Sequence, residues 1–355
     1  MTIFKLGKYK IDHKSKPFII AELSANHNGK LSNIYSLIDK AKQSGADAIK
    51  LQSYTPDSMT INSKRKEFLI KEGLWKGSYL YDLYVKGSTP ESWHKKIFDY
   101  AKKKNILCFS TPFDLNAVKF LSKLNTPAFK IASFEITDIP LIEAVSRTGK
   151  PIIISTGMAS IKDIDIALSV AKKSGAKQIA LLHCISKYPT EPKDYNLKFI
   201  SKLIKRYNLI VGLSDHTIGS VTAVSSIPLG AKIIEKHIKL PGENGLDGKF
   251  SMDTNEFSKF VKMIKEAHLT LGDENFNRDK NEKEPRLFRR SIFVSENIKK
   301  NDKISEKNIK VVRPAHGLHP IYKKYLIGKK IKFSLKKGTP LKFSHIDVKR
   351  IPKLI

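Results

Sequence analysis

Eight times between Phe18 and His237 a short β-branched run ends in a polar or charged residue and gives way to a helical stretch. The runs are FIIAE (18–22), AIKLQS (48–53), ILCFST (106–111), AFKIAS (128–133), PIIIST (151–156), QIALLHCIS (178–186), LIVGLSDH (209–216) and KIIEKH (232–237). Alternating strand and helix predicts a parallel sheet. Eight units is the number that closes a (β/α)8, or TIM, barrel of the α/β class. In such a barrel the active site lies at the carboxyl ends of the strands. Here those ends carry Glu22, Lys50, Gln52, Thr111, Lys130, Ser133, Ser155, Ser186, Ser214, His216 and His237. A ring of Lys, Ser/Thr, His and a carboxylate at one mouth suits an anionic, oxygen-rich substrate.

With 355 residues, 41% of them hydrophobic, the chain can bury one large core and a small one. No apolar run approaches the ~20 residues that span a bilayer. Residues 1–16 hold scattered lysines and no apolar signal core, so a cytoplasmic enzyme without membrane contact is expected. Cys108 and Cys184 fall inside strands three and six with no CxxC or zinc spacing, and read as buried structural thiols in a reducing compartment. The net charge of +31 comes almost entirely from lysines spread along helix faces. No Arg-rich arm, zinc finger or basic–aromatic platform accompanies it, so no nucleic-acid partner is expected.

Residues 1–16 read as a lead-in, a small hairpin closing the bottom of the barrel. The barrel domain extends over 1–271, with its last helix at about 253–271. A polar, charged linker follows at 272–290, and then 291–355, where short strands and turn signals replace helices, as a small, mainly β domain. The connection after strand two, from Tyr54 to about Thr89, is unusually long and rich in aromatics, which predicts an ordered lid over the mouth.

Lys50 and Lys130 are placed to bind phosphate or carboxylate, or alternatively to form a Schiff base as in an aldolase. Ser133, Ser155, Thr156 and Ser214 add hydroxyls and strand-end amides, and the glycine of STGM (155–158) lets backbone N–H groups approach an oxyanion. His216 and His237 end neighbouring strands and can reach one divalent ion such as Mn²⁺, or serve as buried histidines bonded to carbonyls. Glu235 and Asp247 are acidic neighbours able to orient a ligand or water. Glu22 is either a salt-bridge partner or a group that holds a hydroxyl or moves a proton.

Taken together, NHNG (26–29), KLQSYTPDSMT (50–60), STPFD (110–114), KIASFE (130–135), STGM, GLSDHT (212–217), IIEKH (233–237) and RP-x-x-G-L (313–318) resemble the sialic acid synthase family over nearly the whole chain. Members condense phosphoenolpyruvate with an N-acetylated amino sugar and carry a small antifreeze-like (SAF) domain. The resemblance implies that Lys50, Thr111, Lys130, Ser133, Ser155, Ser186 and Ser214 form the phosphoenolpyruvate cradle. It implies that His216 and His237 ligate a divalent metal (Mn²⁺, Mg²⁺ or Co²⁺). Glu22, Gln52, Glu135, Tyr188 and Asp247 would position sugar or water. Arg313 would project from the small domain into a partner's barrel, in a domain-swapped homodimer. Two positions depart from the pattern: Ser186 replaces an asparagine, and Ala315 replaces a glycine after Arg-Pro.

Within the family KLQSYTPDSMT, GLWKG followed by YLYDLY (73–84), and GLHPIY (317–322) resemble the pseudaminic acid synthases more than the N-acetylneuraminate synthases. The expected reaction is therefore condensation of phosphoenolpyruvate with 2,4-diacetamido-2,4,6-trideoxy-L-altrose, giving pseudaminic acid and phosphate. Neuraminate or legionaminate synthesis is the alternative, and a Schiff-base aldolase a remoter one.

Overall fold

The β-branched runs become eight parallel strands: β1 (Phe18–Glu22), β2 (Ala48–Ser53), β3 (Leu107–Pro112), β4 (Phe129–Ile131), β5 (Ile152–Ser155), β6 (Ile179–Cys184), β7 (Ile210–Asp215) and β8 (Ile233–Lys239). They pair in sequence order, and β8 pairs with both β7 and β1, which closes the barrel. The computed structural model describes residues 2–272 and 282–350, in two compact units spanning 1–272 and 273–355.

Alternation along each strand sorts the side chains. Outward residues such as Ile19, Ile49, Leu51, Ile152, Ile154, Val211 and Ile234 pack against the helices. Each buried side chain of this size contributes roughly 1.5–3 kcal/mol. Inward residues are apolar at the amino ends of the strands: Phe18, Ile20, Ala48, Phe109, Ile153, Leu182, Ile210 and Ile233. A hairpin of Phe4–Leu6 and Tyr9–Ile11 inserts Phe4, Leu6 and Ile11 into that layer and plugs the bottom. One or two rungs further up, the inward positions turn polar, with Lys50 following Ala48 and Glu235 following Ile233. The sequence pattern thus builds a dry floor and a polar mouth. Gly212 is also inward, and a Cβ there would lie 2.1 Å from the Ile233 carbonyl oxygen, so no side chain fits.

Helices start and stop where local chemistry directs. Asp114 caps Leu115–Lys123 by accepting from the N–H groups of Asn116 and Ala117. Ser160 and Asp163 form a capping box on Ile161–Lys173. Gly45 and Gly175, just past two helix ends, have φ of +83° and +101°, a region open to glycine.

Several strand ends differ from the sequence reading. β4 stops at Ile131, and Ser133 belongs to the 3-10 turn Ser133–Glu135 that follows. Ser186 and His216 lie just beyond β6 and β7. β8 continues past His237 because Ile238 and Lys239 gain new partners, Met252 and Asp253. The long connection 54–89 is ordered, with short helices Pro56–Met59 and Leu80–Gly87 and a bridge between Leu69 and Tyr79. Among the described residues no helix is long and apolar enough to cross a membrane.

In the second unit Ser291–Val294 and Ile309–Val312 pair antiparallel around a core that includes Ile292, Val294, Ile309, Leu326 and Leu341. Of the expected linker 272–290, residues 273–281 lie outside the described residues, as do 351–355 of the small domain. Within the rest of that linker Lys283–Leu287 form a short helix, stopped soon after Pro285 and Arg286.

Candidate active site

At the carboxyl ends of the strands lies a cavity of about 450 Å³. It is lined by Lys50, Gln52, Thr111, Lys130, Ser133, Glu135, Ser155, Ser186, Tyr188, Ser214, His216, His237 and Asp247, so thirteen of the fifteen expected site residues face one space. The exceptions are Glu22 and Arg313. Glu22 does not open onto the cavity. It is fully buried beside Lys50, its carboxylate 2.5 Å from the ammonium. Arg313 belongs to the second unit, where it is exposed.

The cavity floor is a buried charge cluster. Lys50 contacts Glu22, bonds the Thr111 hydroxyl at 3.1 Å and lies 3.9 Å from Glu235. Lys130 is 3.7 Å from the same oxygen of Glu235, which also accepts from the Ser214 hydroxyl at 3.1 Å. Burial works against the Lys50 charge, but Glu22 and Glu235 outweigh it and the ammonium is stabilised. Burial lowers Lys130 despite Glu235. Burial and the neighbouring Glu235 push Glu22 up to about 7 against the pull of Lys50. Glu235, treated in sequence only as an acidic neighbour, is thus the hinge between the two lysines. Its signal was the two-residue spacing to His237, which puts both on the inner face.

Hydroxyls rim this cluster. The Ser155 hydroxyl is buried without a partner, and so is one oxygen of Glu235. Gly157 closes the rim. A Cβ there would come within 2.4 Å of the Ser133 Cβ and 2.5 Å of the Ser186 Oγ, so the close approach requires glycine. Cys184, read as a structural thiol, is buried but faces inward and lines the cavity. Alternation from Ala180 and Leu182 could have shown this.

His216 and His237 come together, ring centroids 5.4 Å apart. His216 Nδ1 lies 2.8 Å from the Ile185 carbonyl oxygen, so Nδ1 carries the proton and donates, while Nε2 lies 3.4 Å from the Ser214 hydroxyl. His237 Nδ1 is buried with no partner. Burial holds His237 well below the usual imidazole range and therefore neutral. An orphaned nitrogen on one ring and a carbonyl that fixes the proton of the other suit two metal ligands. Among the described residues no group of three or more His, Cys, Asp and Glu is placed to hold a metal alone. A cation here would complete its shell from water and substrate oxygens.

The outer half of the cavity is apolar and aromatic. The 54–89 segment contributes Tyr54, Met59, Ile70, Trp75, Leu80, Leu83 and Tyr84, the lid that the aromatic content predicted. Trp75 Nε1 donates to the Leu246 carbonyl at 3.2 Å and its ring meets Tyr188 at 5.9 Å. Tyr54 packs edge-on against Tyr84 and Phe113. Two carboxylates face this wall. Burial pushes Glu135 up to about 7, and its Oε2 has no partner. Burial also raises Asp247, which is held by the Ser24 hydroxyl. The individual lid residues were not assigned from sequence, because an irregular loop has no period that tells which side chains turn inward.

The NeuB family model matches residues 37–276, and the SAF domain model matches residues 289–347. The pseudaminic acid synthase of Helicobacter pylori is 44% identical, over 93% of this chain and 98% of its own. The pseudaminic acid synthase of Campylobacter jejuni is 43% identical, over 95% and 98%. Among solved structures, N-acetylneuraminic acid (sialic acid) synthetase from Leptospira borgpetersenii, in complex with citrate, aligns with a TM-score of 0.71 at 32% identity, covering 80% of this chain and 96% of that one. A charged floor, paired histidines and a lidded mouth, on a barrel matched over most of its length, place the chain in the NeuB family, with a SAF domain after the barrel.

Proposed function

We propose that this chain is a pseudaminic acid synthase, an enzyme of the transferase class that condenses phosphoenolpyruvate with 2,4-diacetamido-2,4,6-trideoxy-L-altrose and water, releasing phosphate. The carrying observation is identity of 42–44% over nearly the full length to three curated proteins of that name. The two-part cavity supports it. A floor of Lys50 and Lys130 ringed by Thr111, Ser133, Ser155, Ser186 and Ser214 suits a phosphate and a carboxylate on one small molecule. An apolar, aromatic wall suits a sugar that carries a methyl at C6 and two acetamido methyls.

The methylene carbon of phosphoenolpyruvate attacks the aldehyde carbon of the open-chain sugar, whose oxygen takes a proton. Water adds to the phosphate-bearing carbon and gives up two protons, one to that alkoxide oxygen of the sugar and one to the departing phosphate, as the C–O bond to phosphate breaks to leave the ketone. Lys50 and Lys130 hold the anion and stabilise charge as it moves, so most of the acceleration is positioning and electrostatics. Glu135, at about 7, can take and return a proton near neutral pH. Gln52, Tyr188 and Asp247 orient the sugar or water, and Glu22 supports Lys50 from behind. His216 and His237 would hold a divalent cation such as Mn²⁺, Mg²⁺ or Co²⁺, which when bound supplies Lewis-acid polarisation of the aldehyde oxygen. Arg313 of a two-fold-related copy would complete the site in a domain-swapped homodimer.

The test is incubation with phosphoenolpyruvate and a panel of acetamido sugars, with phosphate release and product mass as readouts. The 2,4-diacetamido-6-deoxy sugar is expected to turn over best, chelation to stop turnover and Mn²⁺ to restore it. Preference for N-acetylmannosamine would favour neuraminate synthesis. Inactivation by borohydride with pyruvate would favour an aldolase.

A further inference from the structure

Two residues inside the GLSDHT and IIEKH motifs have no part in the chemistry above. Asp215 and Lys236 stand one position before His216 and His237. Strand alternation turns Ser214, His216, Glu235 and His237 inward, and Asp215 and Lys236 outward toward the helices. The two are Cα partners on the last rung that β7 and β8 share. Their side chains are both buried and form an ion pair, Nζ to Oδ2 2.8 Å. The ammonium also donates to the Thr217 carbonyl and lies 5.9 Å over the Phe260 ring. The other carboxylate oxygen accepts from the Thr217 N–H at 2.9 Å and its hydroxyl at 2.7 Å.

Lys236 therefore grips the chain on both sides of His216, through the side chain before it and the carbonyl after it, from the position next to His237. The face around the pair is apolar, with Leu213, Ile234, Ile238 and Phe260. Apolar residues of similar volume would fill it without removing two charges from water, so stability alone is a poor reason for an ion pair there. What it adds is direction, since each bond fixes an angle and a register that dispersion contacts leave loose.

We infer that Lys236 and Asp215 are positioning residues that set the spacing and orientation of His216 and His237 toward a shared divalent cation. The inference rests on reading the two histidines as metal ligands. It is tested on the full chain with Lys236→Met and with Lys236→Met/Asp215→Asn. The single variant leaves a buried carboxylate unpaired and can fail to fold, whereas the double variant leaves no unpaired charge. Free Mn²⁺ is followed by electron paramagnetic resonance, folding by circular dichroism, and the His216 tautomer by ¹⁵N resonances of the metal-free protein.

The folded double variant is expected to bind Mn²⁺ about ten- to hundredfold more weakly than wild type, with His216 no longer in a single Nδ1–H tautomer. A folded double variant with wild-type Mn²⁺ affinity would overturn the inference. So would a double variant that does not fold, because the pair would then serve the fold rather than the site. Wild-type protein that binds no Mn²⁺ would sink the ligand reading instead. The tautomer of the metal-free chain then decides: its loss in the double variant supports positioning and its retention overturns it.

Discussion

Replacing Glu135 by glutamine isolates the cost of a buried acid in the cavity wall. Glu135 ends the 3-10 turn Ser133–Glu135 with Oε2 unpartnered, and burial raises it from 4.5 to about 7 despite Lys130. The folded state therefore binds this proton more tightly than the unfolded state. Stability linked to it is fully present below the unfolded value, and is lost as pH rises until the folded value is passed. The span of about 2.5 units at about 1.4 kcal/mol each gives a total of about 3–4 kcal/mol. Most of this falls between about pH 5 and about pH 8. Glutamine keeps the shape and does not titrate. Urea unfolding of both proteins across that range should show the variant gaining on wild type as pH rises, then levelling above about pH 8. A stability difference independent of pH would refute the argument, because it would mean that Glu135 is as well solvated in the folded chain as in the unfolded one.

Three further outcomes are expected. Lys130→Ala should raise the KM for phosphoenolpyruvate about ten- to hundredfold, the worth of one charged contact, and leave the KM for the sugar nearly unchanged; a selective loss of sugar affinity would assign the lysine to the other substrate. Trp75→Phe keeps the ring contact with Tyr188 and loses the N–H bond to the Leu246 carbonyl; it should weaken sugar affinity about three- to tenfold, since a neutral bond contributes about 1 kcal/mol, and unaltered steady-state kinetics would show that the lid does not depend on this latch. Mixing Arg313→Ala with His216→Ala chains, each inactive alone, should restore activity if the arginine acts in a partner's barrel, and no recovery despite proven subunit exchange would place it in its own.

Most of the barrel was legible because two periods are written into the chain. Runs such as PIIIST alternate inner and outer positions, and the helices between them repeat at helical spacing and close on glycines such as Gly45 and Gly175. A period of two is also enough to put Lys50 with Gln52, Ser214 with His216 and Glu235 with His237 on one face, although Glu235 was read from sequence only as an acidic neighbour. Strand ends were less legible because hydrogen-bond partners decide them, and partners come from elsewhere. β8 runs on to Lys239 only because Met252 and Asp253 lie beside it. The inward direction of Cys184 was present in the alternation, but the common reading of a strand cysteine as a packing group masked it.

The lid marks where sequence reasoning runs out, and the reason is physical. A strand side chain has two directions to choose from, and its neighbours reveal which. A side chain in the 54–89 segment has no such constraint, because its direction follows from contacts made by residues far away in the chain. Trp75 faces the cavity because Leu246, Tyr188 and Phe250 hold it there, from segments more than a hundred residues on. The apolar wall that results forms the outer half of the site. Charge at the floor comes from regular strands, so the part of the reaction shared by any phosphoenolpyruvate-condensing barrel can be read from spacing. The contacts that would choose one acetamido sugar over another come from an irregular segment. Their identity needed the folded chain, because a methyl group is selected by the shape of a surface assembled from distant residues rather than by any one residue type.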